Sequence, residues 1–287
     1  MSAASENHEA QRLYWDGAGG DKWIKRSADV DVNAAPAQRA AIEAAEIAAG
    51  ARVLDIGCGC GGSAIALAAQ VGEAGRILAV DISHAMIAEA QKATRDLRQV
   101  ECMVADAATH DFADESFDRM FSRFGVMFFG DPAAAFARLR PALKPQGRLT
   151  FICWRPLPEN PWMLTPLAAV CKHAPRPQRP GPEEPGPFSF GDPERVRRIL
   201  TQAGFAAPEF TKFDFDMDLA VGRGLEAAVE TAANAGAAGA ALTDQPADIR
   251  AAAIEELRKE LAPLERDGRV ILGAAVWIVS AVPSLRA

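Results

Sequence analysis

The stretch VLDIGCGCGGSA, Val53 to Ala64, decides the fold. Its opening, RVLDI over Arg52–Ile56, is a short apolar run of the length of a buried strand, interrupted only by Asp55. Gly57, Gly59 and Gly62 follow at G-x-G-x-x-G spacing, and Gly61–Gln70 reads as a helix. Glycines at a strand-to-helix turn accept positive φ and let backbone approach a ligand closely, while N–H groups at the helix start form a polar cradle.

Working outward, the same alternation repeats. Strands are expected at Arg76–Asp81, Val100–Val104, Phe117–Ser122 and Arg148–Trp154. Helices lie between them, from an N-cap at Ser83 to about residue 97 and from a cap at Asp131 to about residue 143. Upstream, residues 34–49 read as a helix with Pro36 in its first turn and Gly50 as its stop. Strands alternating with helices of this length mean βαβ units, hence an α/β fold with a mostly parallel sheet and helices on both faces.

After Trp154 the pattern breaks at ten prolines between residues 155 and 187, among them Pro180 and Pro182. Proline at that density leaves room only for a short helix over Trp162–Lys172, so residues 155–190 read as an inserted lid. The alternation resumes with a helix at Pro193–Ala203, a strand at Glu209–Leu219, Ala-rich helices at Leu225–Ala238 and Ala247–Leu261, and a final apolar strand at Val270–Val282. The expected organisation is one Rossmann-like domain over 1–287. It comprises an N-terminal helical arm (1–50), a binding core (51–154), the Pro-rich lid (155–190) and a C-terminal part (191–287) that completes the sheet and caps the substrate.

Composition narrows the partners. The 31 Lys+Arg against 38 Asp+Glu leave a net charge of -7, which argues against a nucleic-acid partner. No apolar run approaches the roughly 18–20 residues of a membrane span. The first residues, MSAASENHEAQRLYW, lack the basic and apolar segments of a secretory signal, and five cysteines show no disulfide spacing. A cytoplasmic location is the expectation. The oligomeric state stays open, with a homodimer among the alternatives.

Three acids sharpen the site. Asp55 lies two residues before Gly57, inside the end of a strand, where a carboxylate is expensive unless a cation or donor meets it. It would repel a pyrophosphate and suit an ammonium or sulfonium. Asp81 ends the second strand, where an acceptor-only side chain suits the two hydroxyls of a ribose. Asp106 follows the third strand and could accept from an exocyclic adenine amine beside Ala107, or serve as a turn former. The glycine spacing alone fits NAD, FAD and S-adenosylmethionine equally; Asp55 favours the last.

VLDIGCGCGG, the AVD of Asp81, the ADA of Asp106 and FDRMFSRFGVMFF resemble the successive motifs of class I S-adenosylmethionine-dependent methyltransferases. The last segment and YWDGAGGDKW resemble small-molecule enzymes related to the ubiquinone/menaquinone C-methyltransferases. The resemblance spans about Tyr14 to Trp154 and implies a seven-stranded sheet with an antiparallel last strand. By motif match, Asp55, Gly57, Cys58 and Gly59 would line the methionine half of the cofactor. Asp81 would bind ribose, Ile82 and Met86 would pack beside adenine, and Asp106 and Ala107 would meet it. Ser122 to Phe124 would close the floor, and Trp15 and Trp23 on the N-terminal segment would fold over the cofactor or pin that arm to the core.

The remaining constellations are weaker. Cys58 and Cys60 supply two of the four ligands a structural zinc wants, so they read as small loop residues and no metal is expected. His8 reads as part of a frayed terminus. His173, in the lid, is the histidine placed to reach a substrate as a base, yet the catalytic residue stays unassigned. Trp162, Met163, Phe188 and Phe190 suggest an apolar acceptor pocket. The expected activity is S-adenosylmethionine-dependent methyl transfer to a carbon or oxygen of a small organic acceptor. Alternatives are an NAD(P)-dependent oxidoreductase and a cofactor-binding protein without transfer chemistry.

Overall fold

The computed structural model describes residues 3–178, 181, 184–206 and 208–284. Pro180 and Pro182 of the expected lid lie outside the described residues. Three helices open the chain: α1 (Ala3–Trp15), α2 (Ala18–Ile24) and α3 (Ser27–Ala44). The alternating core follows as β1 (Arg52–Ile56), α4 (Gly62–Val71), β2 (Arg76–Asp81), α5 (His84–Thr94), β3 (Val100–Val104), β4 (Phe117–Arg123), α6 (Pro132–Leu139) and β5 (Leu143–Trp154). The C-terminal part contributes α7 (Pro161–Val170), α8 (Pro193–Gln202), β6 (Glu209–Asp218), α9 (Gly224–Asn234), α10 (Gly236–Leu242), α11 (Ala247–Leu261), β7 (Glu265–Arg266) and β8 (Arg269–Ala281).

The strands form one sheet in the order β3-β2-β1-β4-β5-β8-β6, with the short β7 turned back on β8. β1 to β5 pair in parallel, whereas β8 runs antiparallel to both β5 and β6. The expected mostly parallel sheet with an antiparallel last strand is therefore present, with β7 added to the expected seven. Strand order reverses between β1 and β4. A crevice opens there at the carboxyl ends of the strands, which is where open α/β sheets bind ligands. The main core, built on Leu54, Phe121, Phe136 and Phe151, fills both faces of the sheet. A second cluster, including Val229, Leu242, Leu257 and Leu261, holds α7 and α9 to α11 together.

Local reading fails at three helices, each for a physical reason. The helix expected over 34–49 is α3, which starts at Ser27 and ends at Ala44, so Pro36 lies inside it. Proline in a helix interior costs ~3 kcal/mol. Docking compensates: Ala34, Ala37 and Ala41 are buried, and Asn33 exchanges two hydrogen bonds with the backbone of Asp218, at 3.0 and 2.8 Å. The helix expected to reach residue 143 stops at Leu139 because Pro141 cannot extend it, and β5 then begins at Leu143, five residues before the expected start. The expected helix over Leu225–Ala238 is two helices. Ala235 is extended and Gly236 has φ of +57°, a left-handed conformation glycine adopts without strain.

Candidate functional site

The crevice encloses a cavity of about 540 Å³, within the usual range for small-molecule sites. Its floor starts at the glycine loop. Gly57, Gly59 and Gly61 all have positive φ, and the N–H groups of Gly57 and Cys58 donate to the Val80 carbonyl at 2.8 and 3.0 Å. The loop thereby hangs on the end of β2. A Cβ on Gly57 would sit 2.9 Å from Gly125 Cα, and one on Gly59 would sit 3.0 Å from Trp23 Nε1. A side chain at Gly57 would meet backbone, and one at Gly59 would crowd the Trp23 ring at a positive-φ position.

Asp81 borders the same floor and is 7% exposed. Its Oδ2 accepts from Gly59 N at 2.9 Å and its Oδ1 from Ser83 N at 3.0 Å. Burial raises the carboxyl above the usual range, opposed by the backbone N–H groups of Ser83, Gly59 and Ile82. Ile82, Met86 and Ala107 complete this side of the wall. Asp106 borders it as well, with Oδ1 accepting from Ala108 N at 3.0 Å and Oδ2 standing 2.7 Å from His8 Nε2. His8 belongs to an ordered helix on the cavity rather than to a frayed terminus. Its helix packs by Trp15, whose ring meets Phe128 edge-on at 4.8 Å and Trp23 at 6.1 Å.

Ten of the twelve expected residues border the cavity: Trp15, Trp23, Gly57, Cys58, Gly59, Asp81, Ile82, Met86, Asp106 and Ala107. Asp55 and Ser122 do not border it. Ser122, near the end of β4, is fully buried and donates to the Ile56 carbonyl at the end of β1 at 2.7 Å. Asp55 lies one layer beneath, where Ser63 Oγ donates to its Oδ2 at 2.6 Å while its Oδ1 has no hydrogen-bond partner among the described residues. Burial pushes the Asp55 carboxyl up to about 7, against the pull of Ser63 and Arg123. Ser63 borders the cavity and connects Asp55 to it; its place at the helix start is the one signal of this in the sequence.

The far half of the cavity is aromatic. Phe124 lies flat on Trp154, with centroids 4.5 Å apart and planes 7° apart, and Trp154 meets Trp162 at 4.9 Å and Phe215 at 6.2 Å. Phe124 holds φ of +67°, a strained conformation for a bulky residue that turns its ring under the crevice. Met163, Met217, Gly236 and the Pro185–Gly186–Pro187 run close this half. Trp162 and Met163 are where the sequence placed them, but Phe190 is in the core and Phe188 packs against that core instead of bordering the cavity. His173 stands 4.0 Å from Glu256 and does not border the cavity either. Arg26, Gly125, Trp154 and Phe215 were not expected here; they come from segments far apart in sequence.

Two cations reach this space. Arg123 donates to Asp31 at 2.5 Å and to Gln38 at 2.7 Å. Arg26, between α2 and α3, borders the cavity without a side-chain partner among the described residues. No cluster of three metal-ligating side chains occurs among the described residues, and burial raises the Cys58 thiol well above its ordinary value. Among the described residues no helix is long and apolar enough to cross a membrane.

Comparison with known proteins agrees with this geometry. A family described as a methyltransferase domain matches residues 53–147. Aklanonic acid methyltransferase DauC of Streptomyces sp. strain C5 is 37% identical over 153 residues, covering 50% of this chain and 70% of that protein. Demethylmenaquinone methyltransferase of Staphylococcus saprophyticus is 25% identical over 181 residues, 58% of this chain and 75% of that one. In fold, the chain resembles the YcgJ protein of Bacillus subtilis, with a TM-score of 0.56 at 18% identity over 87% of this chain and 98% of that chain. The chain belongs to the class I S-adenosylmethionine-dependent methyltransferases. It is an enzyme that transfers a methyl group from S-adenosylmethionine to a small molecule.

Proposed function

We propose that the cofactor spans the near half of the cavity and that the aromatic half receives a flat, largely apolar acceptor methylated at carbon or oxygen. Asp81 carries this reading: a buried carboxylate bordering the cavity, its two oxygens held in place by the backbone N–H groups of Gly59 and Ser83. An acceptor-only group fixed in this way suits the hydroxyls of a ribose. Asp55 supports it through an oxygen that is buried and unpartnered beneath the glycine loop, a site that a cation in the cavity would favour through Ser63.

In this arrangement Gly57, Cys58, Gly59 and Trp23 would hold the methionine portion, and Ile82 and Met86 would pack beside the adenine. Asp106 and Ala107 meet its edge, while His8 and Trp15 bring α1 across the top. Bound there, the cofactor supplies an electrophilic methyl whose carbon–sulfur bond breaks as the acceptor's electron pair takes the carbon, the sulfur keeping the bonding pair. Phe124, Trp154 and Phe215 orient the acceptor and exclude water. Positioning of this kind supplies much of the rate of a bimolecular transfer. The chain thus relies on an acceptor that loses its proton readily, and no side chain is assigned as base.

We read residues 1–287 as one unit in which 155–190 covers the acceptor. The Pro185–Pro187 contact with the cavity supports that reading. Five free cysteines favour a reducing compartment, the cytoplasm. The test is incubation with tritium-methyl-labelled cofactor and a library of aromatic and aliphatic acceptors. Label passing to planar phenols, enols or acids supports the proposal. Label passing only to amines or to no acceptor overturns it.

A further inference from the structure

The two arginines of the cavity differ in one respect. Arg123 is matched by Asp31 and Gln38. Arg26 is half-buried and its guanidinium forms no hydrogen bond or ion pair among the described residues. The acid closest along the chain, Asp29, is engaged by both Nη atoms of Arg223, at 2.9 and 2.5 Å. Burial works against the Arg26 charge, with the Asp29 charge the one influence favouring it. A guanidinium does not shed its proton near neutral pH, so a charge in this position calls for an anion from outside the chain.

Its position indicates which one. Arg26 borders both the main cavity and an adjoining recess of about 50 Å³. The recess is walled by Trp162, Met163, Met217 and the α9–α10 elbow at Gly236, and on its polar side by Asn33 and by Asp29, whose charge Arg223 matches. None of Gly57, Gly59, Asp81 and Asp106 borders it. Arg26 therefore joins the main cavity to a recess on its aromatic side.

We propose that Arg26 anchors a carboxylate carried by the acceptor, so that the enzyme selects flat apolar molecules bearing an acid group. The planar fork of a guanidinium matches the two oxygens of a carboxylate, and discrimination is strong where a buried polar group would otherwise go unpaired. This inference rests on the division of the cavity proposed above.

The test uses the full chain saturated with S-adenosylhomocysteine and three probe pairs: benzoate, 2-naphthoate and anthraquinone-2-carboxylate, each against its amide, read by quenching of tryptophan fluorescence. Wild type is expected to bind at least one carboxylate about tenfold or more tighter than its amide. Arg26→Gln should erase that preference, Arg26→Lys should keep part of it, and both should bind S-adenosylhomocysteine within about threefold of wild type. A thermal melt confirms that each variant is folded. The proposal is overturned if wild type prefers no carboxylate, if the preference survives in Arg26→Gln, or if Arg26→Gln loosens S-adenosylhomocysteine about tenfold, which would assign the guanidinium to the cofactor's own carboxylate. Failure of wild type to bind S-adenosylhomocysteine at all would instead remove the division of the cavity on which the inference rests.

Discussion

Asp81 accepts the backbone N–H of Gly59 at 2.9 Å, so the carboxylate that ends β2 also fixes the glycine loop that follows β1. Its other oxygen takes Ser83 N, at the cap of α5, where Ser83 Oγ in turn accepts from Met86 N at 3.3 Å. One side chain thus shapes the loop, the next helix start and the cavity floor between them.

Replacing it should therefore act on binding before it acts on folding. Asp81→Ala is expected to weaken S-adenosylhomocysteine more than tenfold by isothermal titration, over ~1.4 kcal/mol. Near-wild-type affinity in a folded Asp81→Ala protein would remove the ribose assignment.

The loop itself has no room for a methyl group. Gly57 combines φ of +69° with a Cβ position 2.9 Å from Gly125 Cα, a backbone atom that cannot rotate away. Left-handed backbone alone costs a non-glycine residue roughly 1–2 kcal/mol. Gly57→Ala should lower the melting temperature by several degrees and abolish measurable cofactor binding. Calorimetry showing an unchanged Tm would contradict the strain described here.

Asp55 predicts a pH dependence. Its carboxyl titrates near 7 in the folded, ligand-free protein and near 3.8 when unfolded. Between those values the native state holds a proton that the unfolded state has lost, so this group makes stability fall as pH rises from about 4 to 7 and stay level above. Asp81, also raised, adds a slope of the same sign. A bound cation favours the ionised form, so affinity for S-adenosylmethionine should climb with pH and level off above about 7. Asp55→Asn should flatten both profiles between pH 6 and 7. Identical profiles in the variant would show that Asp55 is not the group responsible.

These predictions rest on elements of unequal legibility. β1 to β3 match the sequence reading residue for residue because short apolar runs bounded by glycine and acidic turns leave strands little choice. The near half of the cavity was legible for the same reason, its residues lying within a few positions of those strand ends. Asp55 was placed correctly in its strand but faces inward, because neighbouring residues of a strand point to opposite sides and the sequence does not say which side faces the ligand. The aromatic half was mostly illegible. Phe124, Trp154 and Phe215 meet through the β4-β5-β8-β6 order, a nonlocal pairing that no local window contains.

That half should be separable by mutation. Phe215 is on β6, buried beside Trp154. Phe215→Ala is expected to cost ~3 kcal/mol or more of stability by cavity formation. It should also raise the acceptor KM severalfold while leaving S-adenosylhomocysteine affinity within about twofold. Loss of both affinities together in a folded variant would mean that the two halves are not distinct.

The central claim is that this cavity holds S-adenosylmethionine. A thermal melt of the purified full chain with S-adenosylhomocysteine or with NAD tests it most directly, since a ligand that binds only the folded state raises Tm in proportion to RT ln(1 + [L]/Kd). The account predicts a concentration-dependent rise with S-adenosylhomocysteine, none with NAD, and loss of the rise in Asp81→Ala. A rise with NAD and none with S-adenosylhomocysteine would contradict it.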